Sequence, residues 1–163
     1  MRRIISWHDK YFIDVFSVKS DNELRKEWTL HINGRLLSPK EGRYVNAISS
    51  SKGAQSYIKN GYVNKGEGIV KCEYLNDDVK VDVYALADGL DMVYAEGPDN
   101  PADKNVSYLL ERTEAKCPVY VNVVETYKGE SVIENVEMSV CDGKVSVWVT
   151  EKSGKARNLE LNI

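Results

Sequence analysis

The stretch VIENVEMSVCDGKVSVWVTE, residues 132–151, decides the fold class, because it contains two strand-like segments joined by one turn signal. Apolar and polar side chains alternate along Lys144–Glu151, which is the period of a strand with one buried face. Asp142-Gly143 separates this segment from Val132–Val140. An Asp-Gly pair is typical of a tight hairpin turn, since it accepts the positive φ values that the turn needs. The stretch therefore predicts an antiparallel hairpin.

The same pattern continues outward from this hairpin. Turn residues such as Ser153-Gly154 and Lys128-Gly129 separate short alternating segments along most of the chain. Further strands are predicted at Lys10–Lys19, Glu27–Asn33, Gly66–Leu75, Lys80–Tyr84, Val119–Val123 and Ala156–Asn162. We therefore expect an all-β chain folded as an antiparallel β-sandwich, in which two sheets face one core.

Three segments lack the alternating pattern. Ser20–Lys26 is a polar linker with room for one helical turn, and Ser38–Asn64 is predicted as a long loop that can carry short strands. Glu96–Pro101 contains two prolines, which cannot donate hydrogen bonds to a sheet. This last segment is predicted to be a crossover or rim loop.

The composition limits the domain organisation and the partners. The length of 163 residues predicts a single domain spanning residues 1–163. A formal net charge of −3 supplies no basic field for nucleic acid. No apolar run approaches the ~20 residues of a membrane span, and the N-terminal stretch lacks the features of a signal peptide. We expect no nucleic-acid partner and no membrane anchor in this chain, and the localisation stays open.

The three cysteines, Cys72, Cys117 and Cys141, are irregularly spaced within β-rich segments. They are interpreted as small core or sheet residues. The absence of a CxxC pair gives no basis for a structural metal site, and the low cysteine density none for a disulfide framework. The sequence therefore predicts neither a metal nor a cofactor.

Three segments, in this order along the chain, resemble the C-terminal β-sandwich of heparinase II/III-like polysaccharide lyases. RIISWHDKYFIDVFSVKSDNELRKEWTLHING, Arg3–Gly34, is similar to the family's arginine-started strand, its Asp-Val-Phe strand and a strand ending in His before a turn. YAEGPDNPADKNVSYLLER, Tyr94–Arg112, resembles the Gly-Pro-x-x-Pro loop and the strand that follows it. VYVNVVETYKGESV, Val119–Val132, resembles the family's strand with an acidic residue, Tyr and a Lys-Gly turn.

The resemblance implies a parent enzyme with an N-terminal helical toroid that cleaves uronic-acid-containing polysaccharide by β-elimination. In that family the catalytic residues come from the helical part and from strands that precede the matched stretch. The expectation is therefore a C-terminal fragment that supports the substrate cleft, is inactive alone and has no catalytic residue of its own. Its natural partner would be the N-terminal catalytic part of the same polypeptide, with acidic polysaccharide as a ligand.

Polar residues in or near the predicted strands are the candidates for a site or for a structural framework. His31, Arg35 and Tyr127 are the candidate carbohydrate-binding residues. His31 is also a candidate structural histidine bonded to Asp14 or Glu125. These belong to the predicted polar framework, whose members are Arg3, Asp14, His31, Arg112 and Glu125.

Two of these framework predictions rest on specific chemistry. A carboxylate inside Phe12–Phe16 needs a cationic partner, and Arg3 or Arg112 is predicted to pair with Asp14. Glu125 and Tyr127 share a strand face and mimic a carboxylate–phenol pair for acid–base work, but a loop-anchoring role for the hydroxyl is preferred.

Two further readings stay open. A free-standing carbohydrate-binding module would present an exposed row of aromatic side chains, and a purely structural sandwich would have no affinity for glycans. The sequence also leaves open a homodimer through an exposed strand edge, because unpaired edges favour pairing with another chain.

Overall fold

The computed structural model describes residues 1–48, 54–99 and 104–163. It confirms the all-β class, since the described part of the chain forms strands, turns and a single 3₁₀ turn at Ala54–Tyr57. The strands are β1 (Arg2–Trp7), β2 (Tyr11–Ser17), β3 (Lys26–Ile32), β4 (Arg35–Ser38), β5 (Arg43–Ala47), β6 (Lys59–Lys65), β7 (Ile69–Asn76), β8 (Val79–Leu86), β9 (Asp91–Pro98), β10 (Asn105–Thr113), β11 (Val119–Tyr127), β12 (Ile133–Cys141), β13 (Lys144–Glu151) and β14 (Ala156–Asn162).

The strands form three antiparallel sheets rather than the two that were predicted. Sheet A has the order β1-β2-β11-β8-β7-β4, and sheet B has the order β3-β10-β9-β6-β5. Sheet C is the meander β12-β13-β14. Sheets A and B pack as the expected sandwich, and sheet C covers the opposite face of sheet A. The prediction of one core between two sheets is therefore incomplete.

Strand β2 shows how the sequence places sheet A between two layers. Phe12 and Phe16 pack into the core shared with sheet B, whereas Ile13 and Val15 belong to the core shared with sheet C. Side chains alternate across a strand, so both of its faces must be apolar when both are covered. The near-continuous apolar run of this strand satisfies that requirement.

Three valines of β13 contribute to the attachment of sheet C to sheet A. Val145, Val147 and Val149 are fully buried against the apolar face of sheet A, where Val121 and Val123 are their neighbours in the second core. Each buried valine contributes roughly 1.5 kcal/mol of hydrophobic stabilisation. The predicted hairpin turn before β13 is confirmed, with φ of 49° at Asp142 and 73° at Gly143.

The predicted long loop Ser38–Asn64 is more regular than expected. Its described part contains β5 and β6, which pair with each other, and the 3₁₀ turn. Ile48 and Ile58 pack on the outer face of sheet B against Val93 and Leu110. The segment therefore covers a third apolar cluster.

Other local predictions differ from the structure. Ser20–Lys26 contains no helical turn, and β9 continues through Gly97 to Pro98. This extension is tolerated because β6 pairs with β9 only as far as Glu96, so the last residues of β9 hydrogen-bond to β10 alone. Asn100 and Pro101 of the predicted rim loop lie outside the described residues.

The interpretation of the cysteines as core or sheet residues holds for two of the three. Cys72 is fully buried in the core between sheets A and B. Cys117 lies exposed in the connection before β11, and Cys141 is exposed at the last position of β12. Of the three, Cys117 alone lies outside a strand, because the connection between β10 and β11 interrupts the β-rich run in which it was placed.

Candidate functional site

A cleft opens where the edge of sheet A, strand β4, faces the β5-β6-β9 side of sheet B. Two adjoining pockets of about 690 and 410 Å³ form it. Arg35, Glu96 and Ser107 line both pockets, so the two volumes are parts of one groove. Each of the two volumes lies within the range of ordinary ligand-binding pockets.

The β3–β4 turn holds Arg35 at the mouth of this cleft. Gly34 has a φ of 148°, and a Cβ there would lie 2.8 Å from the carbonyl oxygen of Leu75. Only glycine allows this close approach of the turn to the end of β7. The Ser107 hydroxyl donates a hydrogen bond of 2.6 Å to the Gly34 carbonyl oxygen and fixes the turn from the other sheet.

Three tyrosines form a row across one face of sheet B. Tyr44 is the direct cross-strand partner of Tyr62, and Tyr62 is the partner of Tyr94. Direct partners in antiparallel strands project from the same face. Exposure falls along the row, from 52% at Tyr44 through a half-buried Tyr62 to 2% at Tyr94. The row therefore leads from solvent into the core and forms one wall of the smaller pocket.

The outer end of this row is held in place by local contacts. The Tyr44 and Tyr62 rings meet edge to face with centroids 5.6 Å apart. The Tyr44 hydroxyl donates a 3.1 Å hydrogen bond to Oδ1 of Asn60. One face of an ordered, half-exposed aromatic ring is thus offered to a ligand in the cleft.

Charge is distributed unevenly along the cleft. The smaller pocket carries Arg35 and Lys40 against the single carboxylate of Glu96. The larger pocket adds Lys104 but also two further acidic residues, Asp77 and Asp99. The tyrosine-lined half is therefore the cationic half.

The three predicted carbohydrate-binding residues do not come together. Arg35 lies in the cleft. His31 projects from the outer face of sheet B, where it is exposed and contacts Tyr108 with ring centroids 4.3 Å apart. Tyr127 lies at the end of β11 on the face of sheet A that is turned away from sheet B. Strand alternation alone could not separate these faces, because the sheet to which each strand belongs was unknown.

Glu125 and Tyr127 do not form an acid–base pair. The Tyr127 hydroxyl donates a 3.1 Å hydrogen bond to Asp82. Burial and the Asp82 carboxylate raise the pKa of Tyr127 to about 12, which opposes a role as a phenolate base. Glu125 instead accepts hydrogen bonds of 2.6 Å from the Val132 amide and 2.7 Å from Ser131. It anchors the connection to β12.

Asp14 pairs with Arg3 rather than with Arg112. The Arg3 guanidinium donates two hydrogen bonds to its carboxylate, at 3.0 and 2.6 Å, and the Trp28 indole donates a third at 3.2 Å. Arg112 lies on the outer side of sheet B, where it binds Glu27 and donates a 3.1 Å hydrogen bond to the Ile48 carbonyl oxygen. Arg3 thus joins β1 to β2, and Arg112 joins β10 to β3 and to the residue that follows β5.

The expectation that His31 bonds to Asp14 or Glu125 is wrong. Both carboxylates are engaged by the other partners described above, and both side chains project from sheet A. His31 belongs to an exposed patch on sheet B. The sequence could not identify the partner of His31, because it does not show from which face of the sheet a histidine in a strand projects.

Glu111 of β10 is a buried carboxyl group that was not among the candidates predicted from the sequence. Its carboxyl group is fully buried in the core, and both oxygens lack a hydrogen-bond partner among the described residues. Burial raises its pKa to about 8, and Asn122 opposes part of this shift although no hydrogen bond of ordinary geometry joins the two. The sequence signal that could have identified it is an acidic residue directly after the apolar segment Tyr108–Leu110.

Within the described ranges, no cluster of three or more His, Cys, Asp or Glu side chains is arranged to hold a metal ion. Nor does any helix of that part of the chain have the length and apolarity to cross a membrane.

No protein-family model matches the sequence. No curated protein matches it either.

Proposed function

We propose that this chain is a saccharide-binding sandwich that acts as the C-terminal accessory domain of a heparinase II/III-like polysaccharide lyase and is inactive alone. The tyrosine row in the cleft is the observation that supports binding. Pyranose rings present apolar C–H faces that pack on aromatic rings. The three ordered segments of sequence resemblance are what support the lyase assignment.

The cleft offers complementary chemistry for a polymer that carries carboxylates. A sugar ring packs against Tyr44, and its carboxylate lies toward Arg35 and Lys40. The guanidinium group is suited to a carboxylate because it can donate two parallel hydrogen bonds. The Glu96 carboxylate and the side-chain nitrogen of Asn60 lie in the same pocket and suit sugar hydroxyl groups. The parent's catalytic groups would come from the N-terminal part, and this cleft would hold the polymer beside them.

Binding is tested with uronate-containing and neutral oligosaccharides of equal length, followed by amide chemical shifts of the intact chain. Tyr44→Ala is expected to weaken binding about tenfold, equivalent to the roughly 1.4 kcal/mol that one aromatic contact supplies. Tyr57→Ala is the matched control, because Tyr57 is 65% exposed and lies in the patch on the outer face of sheet B.

Two results would contradict the proposal. Equal losses of affinity in both tyrosine variants would remove the cleft from the binding site. Formation of unsaturated uronate by the purified chain, followed by ultraviolet absorbance, would contradict the absence of activity in the isolated domain. A free-standing binding module is distinguished from a lyase domain by the gene upstream, where the lyase requires several hundred helix-rich residues.

A further inference from the structure

A separate pocket of about 270 Å³ lies at the tip of the β1–β2 hairpin, next to the β13–β14 turn. It is distinct from the cleft, because β2 and β4 are four strand positions apart in sheet A, a span of roughly 20 Å. It also opens on the side of sheet A that sheet C covers. Its lining includes His8, Lys10, Tyr11, Glu151, Lys155 and Arg157.

The Tyr11 hydroxyl is a buried donor that lacks a partner within the described part of the chain. Tyr11 is 3% exposed, and its hydroxyl oxygen makes no hydrogen bond to any described residue. Burial raises the pKa of this hydroxyl, with Glu151 adding to the shift and Arg157 opposing it. The hydroxyl is therefore within the electrostatic reach of two charged groups that line the pocket. Buried polar groups are almost always satisfied, so a missing acceptor is expected at this point.

The pocket carries more positive than negative charge. Lys10, Lys155 and Arg157 face the two carboxylates of Asp9 and Glu151. One of these carboxylates, Glu151, accepts a hydrogen bond of 3.2 Å from the neighbouring Ser153 hydroxyl. The remaining charge favours a ligand with an anionic group.

His8 forms a fixed wall of the pocket. Its ring stacks on Tyr11 with centroids 4.8 Å apart, and its backbone amide donates a 2.9 Å hydrogen bond to the Tyr11 carbonyl oxygen. Burial lowers the pKa of His8, with further lowering by Arg157 and Lys155 and partial compensation by Glu151 and Asp9. The imidazole is therefore neutral at pH 7, and the cations of the pocket are the lysines and the arginine.

We propose that this pocket binds the ring of a single sugar acid. Arg157 and Lys155 hold its oxyanion, the Tyr11 hydroxyl donates to a ligand oxygen, and Glu151 accepts from a ring hydroxyl. A volume below that of drug-sized sites suits one monosaccharide. The combination of cationic donors and a carboxylate acceptor suits a molecule with both an anionic group and hydroxyl groups, rather than a bare anion. This site does not depend on the cleft proposed above.

The test is a titration of the intact chain with glucuronate, glucose and inorganic sulfate, followed by the His8 ring resonances. Glucuronate is expected to shift them with a Kd on the order of 1 mM, a typical weak affinity, and glucose is not. Arg157→Gln should weaken glucuronate binding at least tenfold. Lys144→Gln, a cation at the far end of β13, is the control and should leave it unchanged.

Tyr11→Phe separates binding from a structural role. Because the hydroxyl has no hydrogen-bond partner in residues 1–48, 54–99 and 104–163, the variant should keep its Tm, yet glucuronate binding should weaken severalfold. Unchanged affinity in Tyr11→Phe, equal shifts with glucose, or sulfate binding as tightly as glucuronate would each overturn the sugar-acid assignment. Tyr44→Ala should not alter this titration, so failure here and failure of the cleft proposal give different results.

Discussion

Replacing Glu111 by Gln should change how the stability of this sandwich depends on pH. The carboxyl group is fully buried without a partner among the described residues, and its pKa is raised by burial from 4.5 to about 8. In the folded state the group is therefore protonated at pH 7, whereas in the unfolded chain it ionises above pH 4.5. Its contribution to stability is fully present below pH 4.5 and is lost as the pH rises to about 8.

The size of the effect follows from that pH window. Each pH unit between 4.5 and about 8 removes about 1.4 kcal/mol from the free energy of unfolding, so the loss across the window is about 5 kcal/mol. About 3 kcal/mol of this is already lost at pH 7. That amount is a large fraction of the 5–15 kcal/mol by which domains are typically stable. Glu111→Gln keeps the shape of the side chain but cannot ionise, so the variant should lose this dependence.

The assay is urea unfolding at pH 5, 6, 7 and 8, followed by the fluorescence of the buried Trp28. The difference in unfolding free energy between Glu111→Gln and the native chain should increase by several kcal/mol in favour of the variant from pH 5 to pH 8. Glu130→Gln, an exposed carboxyl in the β11–β12 connection, is the control and should follow the native chain. Parallel curves for the native chain and Glu111→Gln would refute the reasoning.

Three further predictions concern stability and reactivity. Asp14→Asn should lower the free energy of unfolding by about 2 kcal/mol in urea titrations, since it removes a buried charge from a two-pronged ion pair whose cationic partner is half exposed. Gly143→Ala should cost about 1–2 kcal/mol by thermal unfolding, because φ is 73° in the β12–β13 turn, and a loss as large as for a core cavity would contradict this cause. Only Cys117 and Cys141 should react with a thiol reagent in the native state, because burial gives the Cys72 thiol a pKa of about 12, and reaction of all three before unfolding would contradict the burial of Cys72.

Local signals in the sequence were sufficient for most strands and for the hairpin turns. Lys144–Glu151 and Ala156–Asn162 were predicted with the bounds that the structure has. Such segments are governed by a two-residue period and by turn residues, both of which are readable from neighbours along the chain. The β-sandwich class follows from many such segments together.

The third sheet could not be predicted in this way. Alternation along β13 shows that one face is buried but does not identify the layer that covers it. A sign that this sheet is covered on both sides is present in β11, where Tyr120–Val124 contains four apolar residues around one Asn. A run of this kind indicates burial on both faces, but its partners come from strands that are distant in sequence.

The candidate site depended on strand register, which the sequence did not reveal. Tyr44 and Tyr62 were visible as aromatic residues within a segment interpreted as a loop. They form one aromatic surface because β5 pairs with β6 and β6 pairs with β9, which aligns both residues with Tyr94. A shift of one residue in that register would turn an entire strand over and break the row. Arg35 was the one candidate that the fold places beside them.

The layered architecture itself explains why both proposed pockets lie at one end of sheet A. Sheet B and sheet C cover the two faces of this sheet, which leaves its rims as the main places for side chains to meet a ligand. The β1–β2, β3–β4, β7–β8 and β11–β12 connections all emerge at the same end, as the register across β2, β11, β8, β7 and β4 requires. Turns can vary in sequence without disturbing a packed core, so binding chemistry concentrates there. Glu111, by contrast, is fully buried in the core, so this polar group affects stability but cannot reach a ligand.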